Sequence, residues 1–194
     1  MGFRNTADGW GWPARLLHWS MAFLIFWQLA VGFYMVEIVG NDLIQRFQLT
    51  QSHKSWGTLV FALALVRVLW RAANPSPAAP SATSPVMRHV AATGHALLYG
   101  LMIALPLTGW LMASASPLND ANAYPMQVRN MVFGLFELPD PIDPGDRDLE
   151  GWLAALHRYS ALALALVLAG HIGAAVKHHL LDRDRVLSRM VTGR

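Results

Sequence analysis

Residues 157–171 read HRYSALALALVLAGH, an alanine- and leucine-rich run with a histidine at each end. The histidines are 171 − 157 = 14 residues apart. At about 100° per residue, that spacing returns the second ring to within about 40° of the first. The same spacing separates the two by roughly 21 Å along a helix axis. One helix face thus presents two imidazoles, one near each surface of a bilayer. Adjacent turns would make one metal site; this spacing makes two.

Four apolar segments surround that observation. The spacing predicts helices over about 13–36, 53–73, 88–113 and 152–180 in one domain, 1–194, with a loop at 114–151. Each segment approaches or exceeds the ~20 residues that a helix needs to cross the hydrocarbon core. Backbone polar groups must pair internally there, so the segments are expected to be helices. Pro106 is expected to kink the third. The fold class is an all-α membrane protein, a four-transmembrane-helix bundle. The first segment starts after Arg15, lacks a small-residue cleavage site and reads as a retained span rather than a signal peptide. Asn74–Pro85, NPSPAAPSATSP, reads as an extended linker. Met126–Phe136 in the acidic third connection holds VFGLF and reads as an amphipathic helix on the membrane surface.

Composition agrees. Charged residues are 14% of the 194, against roughly 25% in ordinary soluble domains. Lacking cysteine, the chain has no disulfide, iron–sulfur cluster or thioether-linked haem. The net charge of +3 does not indicate nucleic acid, because the basic residues cluster at the ends of apolar runs. The side holding both termini carries 10 basic and three acidic residues; the other carries five basic and nine acidic. By the positive-inside rule both termini are expected in the cytoplasm, with loop 114–151 outside. Trp10, Trp12, Trp19, Trp27, Trp56, Trp70, Trp110 and Trp152 fall mostly near span ends, as interfacial belts do. Gly57, Gly94, Gly109 and Gly170 are positions where helices or a cofactor can approach closely.

The chain has eight histidines, and ionisable groups at membrane depth are costly and usually functional. Two imidazoles can bind one haem iron axially. His18 opens the first segment at the depth of His171, on the cytoplasmic side. His53 opens the second at the depth of His157, on the periplasmic side. Depth therefore pairs His18 with His171 and His53 with His157. His95 is a rival to His18 for the inner site, or else a residue on the side of that site.

The sequence resembles the bacterial cytochrome b561 family of four-helix, di-haem membrane proteins. The matching stretches are RLLHW, HKSWG, LVRVLWRAANPSP, GHALLYGLMIALPLTGW and LHRYSALALALVLAGHIGAAVKHHLLDRD. The resemblance implies two non-covalent haems b between the helices, ligated by His18, His53, His157 and His171. It also implies a bacterial inner-membrane location and a quinone, ubiquinone, as electron acceptor. His178, seven residues after His171, lies near the same face at the cytoplasmic interface, where an imidazole can bond a quinone carbonyl and pass a proton. His95 is a second candidate for the quinone side.

Arg67 and Arg71, one turn apart, are candidates for haem propionates or simply flank the span. Lys54 and Arg158, each next to a candidate ligand, are candidates for a patch that attracts an anion; interfacial snorkelling explains them equally. Some members of the family oxidise superoxide outside and reduce ubiquinone. The expected activity is therefore transmembrane electron transfer, as a superoxide:ubiquinone oxidoreductase. The alternative is an electron-shuttle subunit serving a periplasmic redox protein or dehydrogenase. A non-redox metal carrier is a third reading, and it predicts no haem spectrum.

Overall fold

The computed structural model of the chain describes residues 2–80, 84–120, 122 and 128–193. Four long helices dominate: α1 (Trp12–Glu37), α2 (Leu43–Ala73), α3 (Pro85–Ala115) and α4 (Arg147–Leu180). All four are long and apolar enough to cross a membrane. A short 3-10 turn (Pro117–Asn119) and a two-stranded hairpin, β1 (Met131–Val132) and β2 (Phe136–Glu137), lie between α3 and α4. A fifth helix, α5 (Val186–Thr192), follows α4.

Side-chain caps set the helix starts. Asp42, Ser84 and Asp146 each accept a hydrogen bond from the backbone N–H three residues on. Such caps contribute about 1 kcal/mol each. Pro13 and Pro85 stand in the first turns of α1 and α3, where a missing N–H costs nothing. The Asp42 cap starts α2 at Leu43 rather than near His53. α2 is therefore 31 residues long, roughly 46 Å, and projects well beyond a core of about 30 Å. The Asp146 cap likewise starts α4 at Arg147, inside the expected loop 114–151. Pro106 lies inside α3.

Another expectation fails. The described part of Met126–Phe136 is not a helix; Met126 and Gln127 lie outside the described residues. Met131 pairs with Glu137 and Val132 with Phe136 in an antiparallel ladder. Phe133 (φ 49°) and Gly134 (φ 69°) turn the chain, and Leu135 N–H donates to the Val132 carbonyl at 2.9 Å. Two successive positive φ angles make a type I′ turn, which Gly permits and a helix forbids.

Met21, Leu24, Ile25, Val60, Ala64, Met102, Leu105 and Leu164 form one buried cluster to which all four long helices contribute. Outward-facing Phe23, Leu69 and Leu166 are exposed, as lipid-facing side chains must be. α1 packs closely on α2, α2 on α3, and α3 on α4; α1 and α2 do not pack closely on α4.

Both termini and the α2–α3 linker meet at one end of the bundle, the terminal end. There Arg15 donates to the Val191 carbonyl (2.7 Å), Trp19 Nε1 to the Met190 carbonyl (3.1 Å) and Arg189 to the Ala78 carbonyl (2.8 Å). α5 is thereby folded back across that end. The 3-10 turn and hairpin cap the opposite end, where Asp140 accepts from Asn119 and Asn130, at 2.5 Å each.

Candidate haem sites

The histidines fall into two groups. At the hairpin end, the rings of His53 (α2) and His157 (α4) have centroids 6.2 Å apart. At the terminal end, His18 (α1) and His171 (α4) are 6.1 Å apart, and His95 (α3) lies 5.5 Å from His171. Two in-line metal–imidazole bonds of about 2 Å, with the inner half of each ring, span roughly 6 Å. Each pair also bridges helices whose backbones stay apart, α2 with α4 and α1 with α4. A flat cofactor needs such a gap. His95 sits instead on α3, which packs closely on α4.

His157 has the clearest ligand geometry. Its Nδ1 lies 3.0 Å from the Leu105 carbonyl oxygen and 3.1 Å from Thr108 Oγ1. Thr108 Oγ1 itself donates to that same carbonyl at 2.9 Å. A carbonyl only accepts, so Nδ1 carries the proton and Nε2 offers its lone pair. Ligating histidines are held this way by a partner on the other ring nitrogen. A Cβ on Gly109 would stand 3.2 Å from His157 Cε1, so the glycine makes room for the ring.

His53 is pinned through its backbone, whose carbonyl accepts from Gln28 Nε2 of α1 at 2.8 Å. Its Nδ1 is buried with no partner among the described residues. Unlike His157, this ring has no hydrogen-bond partner among the described residues that fixes its tautomer. A Cβ on Gly32 would stand 3.4 Å from Cε1 of the same ring, and Gly57 makes room for Gln28. A Cβ on Gly94 or Gly170 would meet nothing within 4 Å.

At the terminal end, Arg67 Nη2 lies 2.7 Å from His18 Nδ1. A guanidinium only donates, so Nδ1 accepts here and the ring's proton lies on Nε2; ligation of a haem through Nε2 requires Arg67 to leave this nitrogen, as it would on turning to a propionate. Arg67 Nε also donates to Tyr99 Oη at 3.2 Å, and both Arg67 and Arg71 stand 5.7 Å from the Tyr99 ring centre. Neither arginine enters an ion pair among the described residues. Two uncompensated guanidinium groups beside the His18–His171 gap suit the carboxylates of a haem. The His95 ring is held by the Ala91 carbonyl.

The other expected residues are placed as follows. Lys54 Nζ donates to the Arg129 carbonyl (2.8 Å), Asn130 Oδ1 (3.2 Å) and the Val128 carbonyl (3.5 Å). These acceptors are neutral, so they fix the ammonium beside His53 without cancelling its charge, although Asp140 and Glu137 also act on it electrostatically. Arg158 pairs with Glu37 across 3.4 Å of exposed surface. His178, at the end of α4, is bonded to Asp184 through Nδ1 at 2.5 Å. Lys177 bonds both oxygens of Asp182 and holds that carboxyl below its usual range.

Gln28, Tyr99, Leu105, Thr108 and Asp184 are contributors that the sequence reading missed. Tyr99, Leu105 and Thr108 lie in the stretch GHALLYGLMIALPLTGW and Asp184 in LLDRD, but nothing in the sequence marks which ring each one meets.

The chain is 30% identical over 191 residues to "Cytochrome b561 homolog 2" of Escherichia coli (strain K12), covering 98% of this chain and 95% of that protein. It is 30% identical over 177 residues to "Probable superoxide oxidase CybB" of Yersinia pestis, covering 90% and 91%. The prokaryotic cytochrome b561 family model matches residues 9–193, from before α1 to beyond α5. A match of that extent, on a bundle of four membrane-length helices, places the chain in the prokaryotic cytochrome b561 family, whose members carry haem b and transfer electrons across the membrane.

Proposed function

We propose that the chain holds two haems b and passes electrons from superoxide, on the periplasmic side of a bacterial inner membrane, to ubiquinone on the cytoplasmic side. The observation that carries the two-haem reading is the pair of imidazole gaps, 6.2 Å and 6.1 Å, each across helices that do not pack closely. His53 and His157 are the axial ligands at the hairpin end; His18 and His171 are those at the terminal end. His18 is preferred to His95 because the α3–α4 interface leaves less room than the space between α1 and α4.

Bound haem iron supplies a one-electron carrier at each end. The chain's own residues do the rest. His157 keeps its proton on Nδ1 and presents Nε2; Leu105 and Thr108 hold that tautomer. Arg67 and Arg71 bind the propionates at the terminal end. Lys54 provides a fixed positive charge beside His53 that attracts an anion of superoxide's size, and Arg158, paired with Glu37, contributes less. His178 bonds the quinone and delivers protons, with His95 lining the inner side. The termini lie in the cytoplasm, as their basic excess favours. The reaction balances as two superoxide, one quinone and two protons giving two oxygen and one quinol.

Superoxide as donor is supported by the relative named a probable superoxide oxidase. The acidic stretch 137–150 favours the second reading, electron exchange with a basic periplasmic redox protein. Purified protein in detergent, given ubiquinone and generated superoxide, separates them. Haem reduction faster than the spontaneous-dismutation control supports oxidase activity; none above that control leaves the shuttle.

A further inference from the structure

The turn after α4, LDRD at 181–184, brings two carboxylates back onto the last helical turn. They have different roles. Asp182 is tied through both oxygens to Lys177 Nζ, at 2.8 and 2.6 Å, and reaches His178 Nδ1 only at 3.3 Å. Asp184 is fixed at three points. Its backbone N–H donates to the His178 carbonyl (3.1 Å), its Oδ1 accepts from Val186 N–H (2.9 Å), and its Oδ2 lies 2.5 Å from His178 Nδ1. Arg183, between them, takes a left-handed φ of 51°, an uncommon conformation for a side-chain-bearing residue. That conformation delivers Asp184 to the ring. Val186 begins α5, and α5 is docked by Arg15 and Trp19 of α1. Trp19 packs edge-on against His18, with centroids 5.1 Å apart. One carboxylate therefore joins the His178 imidazole to a helix that rests beside the His18–His171 gap.

We propose that Asp184 is the positioning residue for His178: it keeps one proton on Nδ1, leaves Nε2 to meet the quinone oxygen, and stabilises the imidazolium that gives up its proton there. This rests on the quinone reading of His178. The physical logic is that of any buried or half-buried carboxylate behind a catalytic imidazole, which fixes tautomer and orientation and offsets the ring's positive charge.

The step balances. Quinone gains two electrons, one at a time, and two protons. In each proton transfer the Nε2–H bond breaks, an O–H bond forms on the quinone oxygen, and the imidazolium becomes neutral. Water returns a proton to the ring, which is reachable because the His178 side chain is 30% exposed and that of Asp184 19% exposed. The charged groups around the ring are Asp184, Asp182 and Lys177. From α5, Arg189 is engaged with the Ala78 carbonyl, and from α1, Arg15 with the Val191 carbonyl.

The test uses full-length, haem-loaded protein in detergent. Pre-reduced protein is mixed with a short-chain ubiquinone, and haem oxidation is followed across pH. D184N is expected to slow the reaction at neutral pH by about tenfold or more. Its decline with rising pH should begin at lower pH than in the wild type. Visible spectrum and haem midpoint potentials should stay unchanged, and D184E should recover most of the rate. A wild-type rate and pH profile in D184N, with H178Q slow, overturns the role of Asp184 alone. Wild-type behaviour in both D184N and H178Q overturns the quinone reading itself. If D184N fails to retain haem, D184S keeps an oxygen for Val186 N–H while removing the charge, and the same slowing and profile change are expected of it.

Discussion

The Nδ1 of His157 donates to the carbonyl oxygen of Leu105 at 3.0 Å, which ties a ring on α4 to the backbone of α3. The bond commits the imidazole to the tautomer a metal needs. Replacing His157 with Ala should remove one of two haem equivalents and leave the other's spectrum unchanged. Thr108→Val removes the hydroxyl but keeps the carbonyl, so both haems should remain, with a stability loss of about 1 kcal/mol. Haem-to-protein stoichiometry of the purified variants checks both.

Gly109 gives a steric version of the same test. An added Cβ would meet His157 Cε1 at 3.2 Å and Nδ1 at 3.4 Å, and the ring is held in place by Leu105 and Thr108. Gly109→Val should displace the ring and lower haem content at the hairpin end, while Gly32→Ala, at an ordinary 3.4 Å from His53, should be tolerated. Equal haem content in the two variants would show that the space at Gly109 is not used by the ring.

Much of this architecture was legible in the sequence. The apolar runs locate all four long helices, because nothing but a helix satisfies an apolar backbone in lipid. Their ends were less legible. Residues 43–52, LIQRFQLTQS, are too polar to read as a span, yet Asp42 caps them and they extend α2 by helical hydrogen bonding. The hairpin was missed because VFGLF has the apolar content of a surface helix; the deciding residue was Gly134, at a positive φ. The four candidate ligands were selected by depth, with His95 left as a rival to His18. Their supports were not, since Gln28, Leu105 and Thr108 act through a backbone carbonyl or an adjacent hydroxyl, and composition says nothing of which carbonyl meets which ring.

At the terminal end, His18 and His95 both lie near His171, but only His18 does so across loosely packed helices. His18→Leu is expected to lose the haem there. His95→Leu should retain it with a changed midpoint potential. The reverse pattern would move the ligand to His95. Arg67→Gln removes a cation beside the same site, so the midpoint potential there should fall, because positive charge near a haem favours its reduced form.

Lys54 links α2 to the hairpin through three oxygen acceptors. Lys54→Met should destabilise the cap by about 1.5–3 kcal/mol, the range for hydrogen bonds to a charged group. Faster amide exchange across 128–138 would report this. The variant should also react more slowly with superoxide, most visibly at low ionic strength, where charge is least screened.

A potentiometric titration of the visible spectrum of the purified protein tests the two-haem arrangement most directly. Two b-type haems per chain are expected, each with a bis-histidine spectrum and its own midpoint potential. His157→Ala should abolish one component and His171→Ala the other. A single haem per chain, or a wild-type titration in either variant, would contradict the account.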